Sequence, residues 1–180
     1  LGGTFVSPQL ERNMIVKDNF LSEKEFKELQ DLMLSQAFPW YYNDGVNEPS
    51  EENLFQFTHM FFGGCFSWSS NYEMIVKLFK EKLDVKCFIR IKANLTTITR
   101  KPVEQGFHTD LNDNTTAIFY LNTNNGYTEF ENGKIVNCVA NRLVEFNSNI
   151  RHQPVTSTDS KRRVVINFNY YKMKPEHYQL

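Results

Sequence analysis

The sequence predicts a mainly β, α+β fold in which an antiparallel double sheet carries two helices on one outer face. Three observations support this: apolar residues with helical spacing in the first half, short β-rich runs in the second half, and no helical pattern between those runs. Parallel strands need long crossovers, so the absence of helices there favours an antiparallel sandwich or barrel. We expect one domain over residues 1–180, helical over about 1–84 and β-rich over about 85–172.

The first helix is predicted to begin at Ser22. Ser22 and Glu25 have the spacing of a capping box, in which each side chain accepts a hydrogen bond from the other residue's backbone N–H. This helix is expected to reach about Ser35, and a second is expected over residues 72–83. Their apolar stripes are typical of core packing and comprise Phe26, Leu29, Leu32 and Met33, and then Tyr72, Ile75, Val76, Phe79 and Leu83.

The segment between the helices, residues 40–53, is rich in turn formers and begins with three aromatic residues. A surface connection anchored by those rings is the favoured interpretation, and a mobile lid is the alternative. From Cys87 onward, six runs have the composition of strands and are separated by Asn, Gly, Asp and Pro. They cover residues 87–97, 115–122, 127–130, 134–139, 142–146 and 163–171.

Composition and charge disfavour several classes of protein. The 20 Lys and Arg residues nearly balance the 21 Asp and Glu residues, which disfavours a broad nucleic-acid-binding surface. No apolar run approaches the roughly 20 residues of a membrane helix. Cys65, Cys87 and Cys138 are too scattered for a disulfide framework or a zinc site, so we expect a cytoplasmic protein without a membrane partner. The chain begins at Leu1 without a methionine, so we expect preceding residues to have been removed, and no signal-peptide pattern is visible.

Two histidines and one aspartate form a candidate metal site. His108 and Asp110 are two residues apart in an extended segment, so their side chains leave the same face. His152, which follows a later strand and a short turn, supplies a third ligand. Two imidazoles and one carboxylate on one side of an octahedron are typical of non-haem Fe(II) oxygenases, whereas zinc more often takes thiolates or a third histidine.

A His-x-Asp pattern alone is more often structural than metal-binding. The argument for this one is its conjunction with a later histidine and with Arg163 at the start of the next strand. His59 and His177 lack such neighbours, so we interpret them as a strand histidine and a C-terminal surface histidine.

In these motifs the sequence resembles the Fe(II)/2-oxoglutarate-dependent dioxygenases, most closely their prolyl 4-hydroxylase-like branch. The matching segments run in family order over roughly the last half of the chain, and residues 19–22 also resemble the start of that branch. The resemblance implies a double-stranded β-helix, or jelly roll, that binds iron and 2-oxoglutarate between its two sheets. The matching segments are residues 106–110, 118–122, 126–130, 146–152 and 163–169.

The same resemblance implies roles for five residues. His108, Asp110 and His152 are the expected iron ligands and catalytic centre, Arg163 is expected to pair with the distal carboxylate of 2-oxoglutarate, and Tyr120 is expected to hydrogen-bond that carboxylate. The implied reaction converts 2-oxoglutarate and dioxygen to succinate and CO2 while hydroxylating a substrate, with ascorbate as a candidate reductant. The substrate is a peptide, for example at a prolyl residue, or a small molecule.

The choice between Arg162 and Arg163 depends on strand alternation, which sends adjacent side chains to opposite faces. A dicarboxylate in an apolar barrel needs a planar, permanently charged donor. Val165 and Asn167 share a face with Arg163, whereas the companions of Arg162 are purely apolar, so Arg163 is favoured. Thr128 matches a small hydroxylated position near the cosubstrate but is nearly as well explained as an ordinary strand residue.

Substrate access is predicted to involve two further segments. Residues 90, 92 and 94 alternate onto one strand face, where they line the cavity mouth or are simply exposed polar residues. The segment 99–105 is long for its position in the family and is expected to shape substrate access.

Two other functions stay open: a non-catalytic jelly-roll binding module, and an oxygenase that repairs alkylated nucleic acid. The balanced charge disfavours the latter.

Overall fold

Two antiparallel sheets form the centre of the computed structural model, which describes residues 14–45 and 55–173. The elements are β1 (Ile15–Lys17), α1 (Glu23–Leu34), β2 (Tyr41–Asn43), β3 (Gln56–Gly63), β4 (Phe66–Ser67), α2 (Tyr72–Phe79), β5 (Val85–Thr97), β6 (Thr115–Tyr120), β7 (Tyr127–Phe130), β8 (Ile135–Asn137), β9 (Arg142–Asn147), β10 (His152–Val155) and β11 (Arg162–Lys172). The large sheet has the order β1-β9-β6-β11-β5-β3-β2, with β4 paired to β3, and the small sheet has the order β10-β7-β8. The predicted fold class, mainly β with an antiparallel double sheet, is confirmed.

Helix α1 begins where the capping box predicted. The Ser22 hydroxyl accepts a hydrogen bond from the Glu25 N–H at 3.4 Å, and the Glu25 carboxylate accepts one from the Ser22 N–H at 2.9 Å. Helix α2 is shorter than predicted, because it ends at Phe79. Leu83 is buried in the turn that follows, so its apolar character reflects packing rather than helix.

The large sheet packs apolar residues on both of its faces. On the outer face, Leu29 of α1 and Phe79 of α2 join a core cluster with Phe119 of β6, and the Phe79 and Phe119 rings lie 5.1 Å apart edge to face. On the inner face, Val165 of β11 packs in a second cluster with Phe130 of the small sheet. The helices therefore cover one outer face, as the sequence predicted.

The first half of the chain is less helical than predicted. Its described residues include both helices but also β1–β4, and β3 pairs directly with β5 in the large sheet. The six predicted strands are present with ends shifted by at most two residues, and β10 is an additional strand. Residues 41–43 of the predicted connection form β2, whereas residues 46–53 and His177 lie outside the described residues, so the lid and the surface histidine stay predictions.

Neither helix in the described parts of the chain has the length and apolar character needed to span a bilayer. All three cysteines are free thiols, with Cys65 and Cys87 exposed and Cys138 buried.

A buried asparagine joins the start of α1 to the large sheet. The Asn141 side chain accepts a hydrogen bond from the Leu21 N–H at 2.9 Å and donates one to the Leu21 carbonyl at 2.8 Å. Its backbone has a φ of 62°, in the left-handed region that asparagine tolerates better than most residues. This one residue therefore supplies both a conformation and two hydrogen bonds that an alanine cannot.

We expect Asn141→Ala to lower the free energy of unfolding by about 2–4 kcal/mol, because it leaves the Leu21 backbone groups unpaired and strains the left-handed backbone. Urea unfolding followed by circular dichroism measures the change. Asn141→Gly is the control, since it loses the same hydrogen bonds without the strain and should recover about 1 kcal/mol. Equal stability of the alanine variant and the unmodified protein would contradict this role.

Candidate metal centre

A cavity of about 140 Å³ lies between the two sheets. Strands β5 and β11 form one wall, and Thr128 of β7 and His152 of β10 belong to the other. Three of the sequence-predicted site residues, His108, Asp110 and His152, line this cavity together, and Arg163 lines it as well.

The metal-binding candidates are brought together by the backbone. His108 and His152 form an isolated antiparallel bridge and exchange both N–H···O=C hydrogen bonds, at 3.0 and 2.9 Å. Their ring centroids lie 4.6 Å apart, and Asp110 follows two residues later. One candidate ligand atom from each of the three side chains lies within 4.8 Å of the other two, a spacing that one ion can bridge with small side-chain adjustments.

Each imidazole is oriented by a backbone carbonyl two residues earlier. The Nδ1 atom of His108 lies 3.2 Å from the Gly106 carbonyl oxygen, and that of His152 lies 3.2 Å from the Ile150 carbonyl oxygen. A carbonyl can only accept, so Nδ1 carries the proton in both rings and the lone pair is on Nε2. Such a contact is typical of histidines that bind metals, because it holds the ring in position.

Burial keeps His152 neutral. Its side chain is packed edge to face against the Phe146 ring, 4.9 Å away, and is almost inaccessible to solvent. Burial is the largest influence and lowers the pKa of His152 to about 4, although the Asp110 charge acts in the opposite direction. At neutral pH the imidazole is therefore unprotonated, which is the form that binds a metal.

The Asp110 carboxylate is held by three neighbours. Arg90 donates to Oδ1 at 3.0 Å, while Thr116 and Asn169 each donate to Oδ2 at 3.1 Å. Burial alone would raise the pKa of Asp110, but the charge that His152 gains in acid, the Arg90 charge and the Asn169 hydrogen bond outweigh it and hold the pKa below its usual value. The carboxylate is therefore ionised and fixed in place before any cation binds.

Arg163 is a buried cation with neutral partners only. Its guanidinium donates to the Cys138 sulfur at 3.1 Å, to the Thr128 hydroxyl at 3.3 Å and to the Tyr127 carbonyl at 3.4 Å. Burial raises the pKa of the Cys138 thiol, so this contact supplies no negative charge at neutral pH. Among the described residues, no carboxylate lies within salt-bridge distance of Arg163. A guanidinium that faces a polar cavity without a carboxylate partner can hold an anion there.

Arg162 points to the opposite face of the sheet. Its guanidinium donates to the Leu34 carbonyl at 2.9 Å, at the C-terminal end of α1, where a positive charge also complements the helix dipole. The face that contains Arg163 also carries Val165 and Asn167, and all three line the cavity. The geometry therefore places Arg163, and not Arg162, beside the candidate ligands.

Tyr120 lies behind the cavity wall rather than on it. Its side chain is fully buried, and its hydroxyl donates to the Thr128 hydroxyl at 2.8 Å. Thr128 lines the cavity and also contacts Arg163. The direct contact with the cosubstrate expected for Tyr120 therefore stays a prediction, and Thr128, which the sequence left undecided, occupies the nearer position.

Sequence analysis missed how the Asp110 carboxylate is held. Thr116 and Asn169 were not singled out, and Arg90 was expected only at the cavity mouth. A signal was available in β11, where the residues at 163, 165, 167 and 169 share one face by alternation. Residues 90, 92 and 94 of β5 line the cavity, which is the first of the two alternatives that the sequence left open for them.

His59 has a structural role, as expected. It lies in β3 with its two ring nitrogens 2.8 Å from the Pro39 carbonyl and from the Ser69 hydroxyl. It is buried, and it does not line the cavity.

The chain has the fold of the 2-oxoglutarate- and Fe(II)-dependent oxygenases, which confirms the fold that the resemblance implied. No protein-family model and no curated protein matches the sequence. Among solved structures, an oxidoreductase of the 2OG-Fe(II) oxygenase family from Burkholderia pseudomallei matches with a TM-score of 0.65 and 10% identity, covering 91% of this chain and 87% of that one.

Two further structures extend the comparison. A prolyl hydroxylase from Trichoplax adhaerens, solved with a peptide fragment of the hypoxia inducible factor oxygen degradation domain, matches with a TM-score of 0.61 and 16% identity over 90% of this chain and 86% of that one. HygX from Streptomyces hygroscopicus, solved with nickel and 2-oxoglutarate, matches with a TM-score of 0.58 and 8% identity over 93% and 88%.

Acid should destabilise the metal-free protein through His152. Its pKa is about 4 when folded and about 6.5 when unfolded, so below pH 6.5 the unfolded chain takes up a proton that the folded chain excludes. From pH 7 to pH 5 we expect this histidine to remove about 2 kcal/mol of stability. Urea unfolding with a chelator present measures it, and His152→Gln should reduce the loss by that amount. An identical pH dependence in both proteins would contradict the assignment.

Proposed function

We propose that this protein is an Fe(II)- and 2-oxoglutarate-dependent dioxygenase that hydroxylates a substrate while 2-oxoglutarate is converted to succinate and CO2. The observation that carries the proposal is the pairing, in one cavity, of a two-histidine, one-carboxylate cluster with a buried guanidinium that has no carboxylate partner among the described residues. A structural metal alone would account for the cluster, but it would leave Arg163 uncompensated.

The residues present fit both groups. His108, Asp110 and His152 would hold Fe(II), because two neutral imidazoles and one carboxylate are the donor set that non-haem iron oxygenases use. Arg163 would hold the distal carboxylate of 2-oxoglutarate through a two-pronged ion pair. Thr96 Oγ1, a buried hydroxyl on the same cavity wall that can donate to a carboxylate, also lacks a hydrogen-bond partner in the structure.

The chain's own contribution to the reaction is geometry and charge. When bound, Fe(II) and 2-oxoglutarate supply the oxidative chemistry, in which dioxygen is consumed, CO2 is released and a C–H bond is hydroxylated. Arg90, Thr116 and Asn169 hold the Asp110 carboxylate ionised and oriented, so little reorganisation would be needed for it to bind a cation. The aromatic packing around His152 limits access of water to that side of the centre.

Tyr120 contributes through Thr128 in this proposal. The Tyr120 hydroxyl donates to Thr128, which leaves the Thr128 proton available for a carboxylate held by Arg163. The candidate substrates are peptidyl prolyl groups, other peptide side chains and small molecules. Dioxygen is the co-reactant, and ascorbate is a candidate reductant.

We expect His108→Ala and Asp110→Ala each to reduce Fe(II)-dependent release of CO2 from 2-oxoglutarate to background, because each removes one of three ligands. Release of labelled CO2 measures turnover, and Mn²⁺ binding followed by electron paramagnetic resonance measures the site directly. Asp113→Asn, an exposed aspartate three residues from Asp110, is the control and should retain both properties. Full turnover in either alanine variant would overturn the metal assignment, and no turnover in the unmodified protein would favour a non-catalytic binding module.

Arg163→Ala should weaken 2-oxoglutarate binding by roughly 100-fold and change Mn²⁺ affinity little, because it removes the charge partner of the dicarboxylate and no metal ligand. Titration calorimetry of the Mn²⁺-loaded protein with 2-oxoglutarate measures the effect. Arg162→Ala is the matched control, since its side chain lies on the other face of β11. Selective loss of 2-oxoglutarate binding in the Arg162 variant instead would show that the assignment is wrong by one residue.

A further inference from the structure

One cation in the cavity is not accounted for by the proposed iron and 2-oxoglutarate. The cavity lining contains three basic side chains, Arg90, Lys92 and Arg163, and one carboxylate, Asp110. Arg90 is paired with Asp110, and Arg163 would pair with the distal carboxylate of 2-oxoglutarate. The near carboxylate of 2-oxoglutarate would bind the metal, so among the described residues Lys92 is left without a carboxylate within salt-bridge distance.

Lys92 lies at the centre of the inner face of the large sheet. Strand register places it opposite Asn167 of β11 on one side and Met60 of β3 on the other, and Asn94 follows on the same face. Within residues 14–45 and 55–173, its ammonium makes no hydrogen bond and no ion pair. Burial and the neighbouring Arg90 charge lower the pKa of Lys92 by more than the Asp110 charge raises it, so an anion beside it would relieve an unfavourable environment.

Two hydrogen-bond acceptors lie next to Lys92 without partners. The side-chain oxygens of Asn94 and Asn167 are buried, and neither accepts a hydrogen bond in the structure. A ligand that presents an anionic group to Lys92 and a donor group beside it would satisfy all three side chains.

An apolar groove of about 580 Å³ adjoins the cavity on the side of Lys92. It is lined by Met60, Trp68, Ile89 and Leu111, and it shares Arg90 with the cavity. Met60 pairs in register with Lys92, and Leu111 directly follows the candidate ligand Asp110. The Trp68 side chain is 68% exposed, so this large apolar surface is accessible from solvent.

We infer that the substrate of this site is an organic carboxylate with an apolar body, whose carboxylate pairs with Lys92 while its body lies along the groove of Met60, Trp68, Ile89 and Leu111. This inference rests on the proposed function and names its substrate class. Charge complementarity selects the occupant, because a neutral apolar ligand would fill the groove but leave Lys92 unpaired.

The test uses the full chain loaded with Mn²⁺ and saturating 2-oxoglutarate, and it follows Trp68 fluorescence. The probes are 4-methylpentanoate, L-leucine and the amides of both, together with a blocked peptide that contains a single glutamate. We expect the carboxylates to shift the emission and the amides to bind at least about tenfold more weakly. The peptide separates a free acid from an acidic side chain as the source of the carboxylate.

Three variants make the result specific. Lys92→Met should weaken carboxylate binding at least about tenfold and leave 2-oxoglutarate affinity unchanged, because removing one partner of a buried ion pair costs at least that much. Lys86→Met, an exposed lysine on the same strand, is the matched control and should behave like the unmodified protein. Trp68→Phe should abolish the probe-dependent fluorescence change, which shows that the signal comes from the groove.

Several outcomes would overturn the inference. Amides that bind as well as carboxylates, or probes that do not bind at all, would show that Lys92 selects no carboxylate. A Lys92→Met protein with weakened 2-oxoglutarate binding would show that Lys92 holds the cosubstrate. Failure of the unmodified protein to bind Mn²⁺ and 2-oxoglutarate is measured before any probe is added, and it would instead defeat the proposed function, on which the inference rests.

Discussion

The hydrogen-bonded backbone pair of His108 and His152 is the constraint on which the candidate site depends. Two residues that exchange both backbone hydrogen bonds in an antiparallel pair have Cα atoms about 5.5 Å apart, so the two imidazoles meet whatever the intervening chain does. Asp110 joins them because alternation returns it to the same face. The rest of the cavity follows from this pair, since Arg90, Asn169 and Thr116 hold the carboxylate at the place where it faces the two rings.

Local patterns predicted the fold where short-range physics determines it. The capping box located the start of α1, and turn residues delimited the six strands of the second half. Strand β3 was indicated only by the interpretation of His59 as a strand histidine, because its pairing with β5 spans about thirty residues. Strand β10 was not predicted, because it contains Pro154, which weakens a strand pattern. The sequence signal for β3 is that every second residue is aromatic, namely Phe57, His59 and Phe61. The residues between them face the inner side of the sheet.

Much of the candidate site could be predicted because its residues have few chemical substitutes. Alternation was sufficient to favour Arg163 over Arg162, and the structure places the former in the cavity and the latter against α1. The relation between Tyr120 and Thr128 could not be predicted, because it depends on which of two hydroxyl groups from different sheets lies nearer the cavity. The lack of an ion pair at Lys92 within the described part of the chain could not be predicted either, because only three-dimensional packing shows which charges lie close together.

Side chains of β5 alternate between the apolar cluster and the cavity, and this alternation has a consequence for how substitutions act. Ile91, Ala93 and Leu95 point into the apolar cluster beneath the helices, whereas Lys92 and Asn94 point into the cavity. Substitutions at successive positions of this strand therefore affect different properties. One set changes the packing of the apolar cluster, and the other changes the chemistry of the cavity lining. The lining of the cavity can therefore change one residue at a time, without repacking the apolar cluster that supports the sheet.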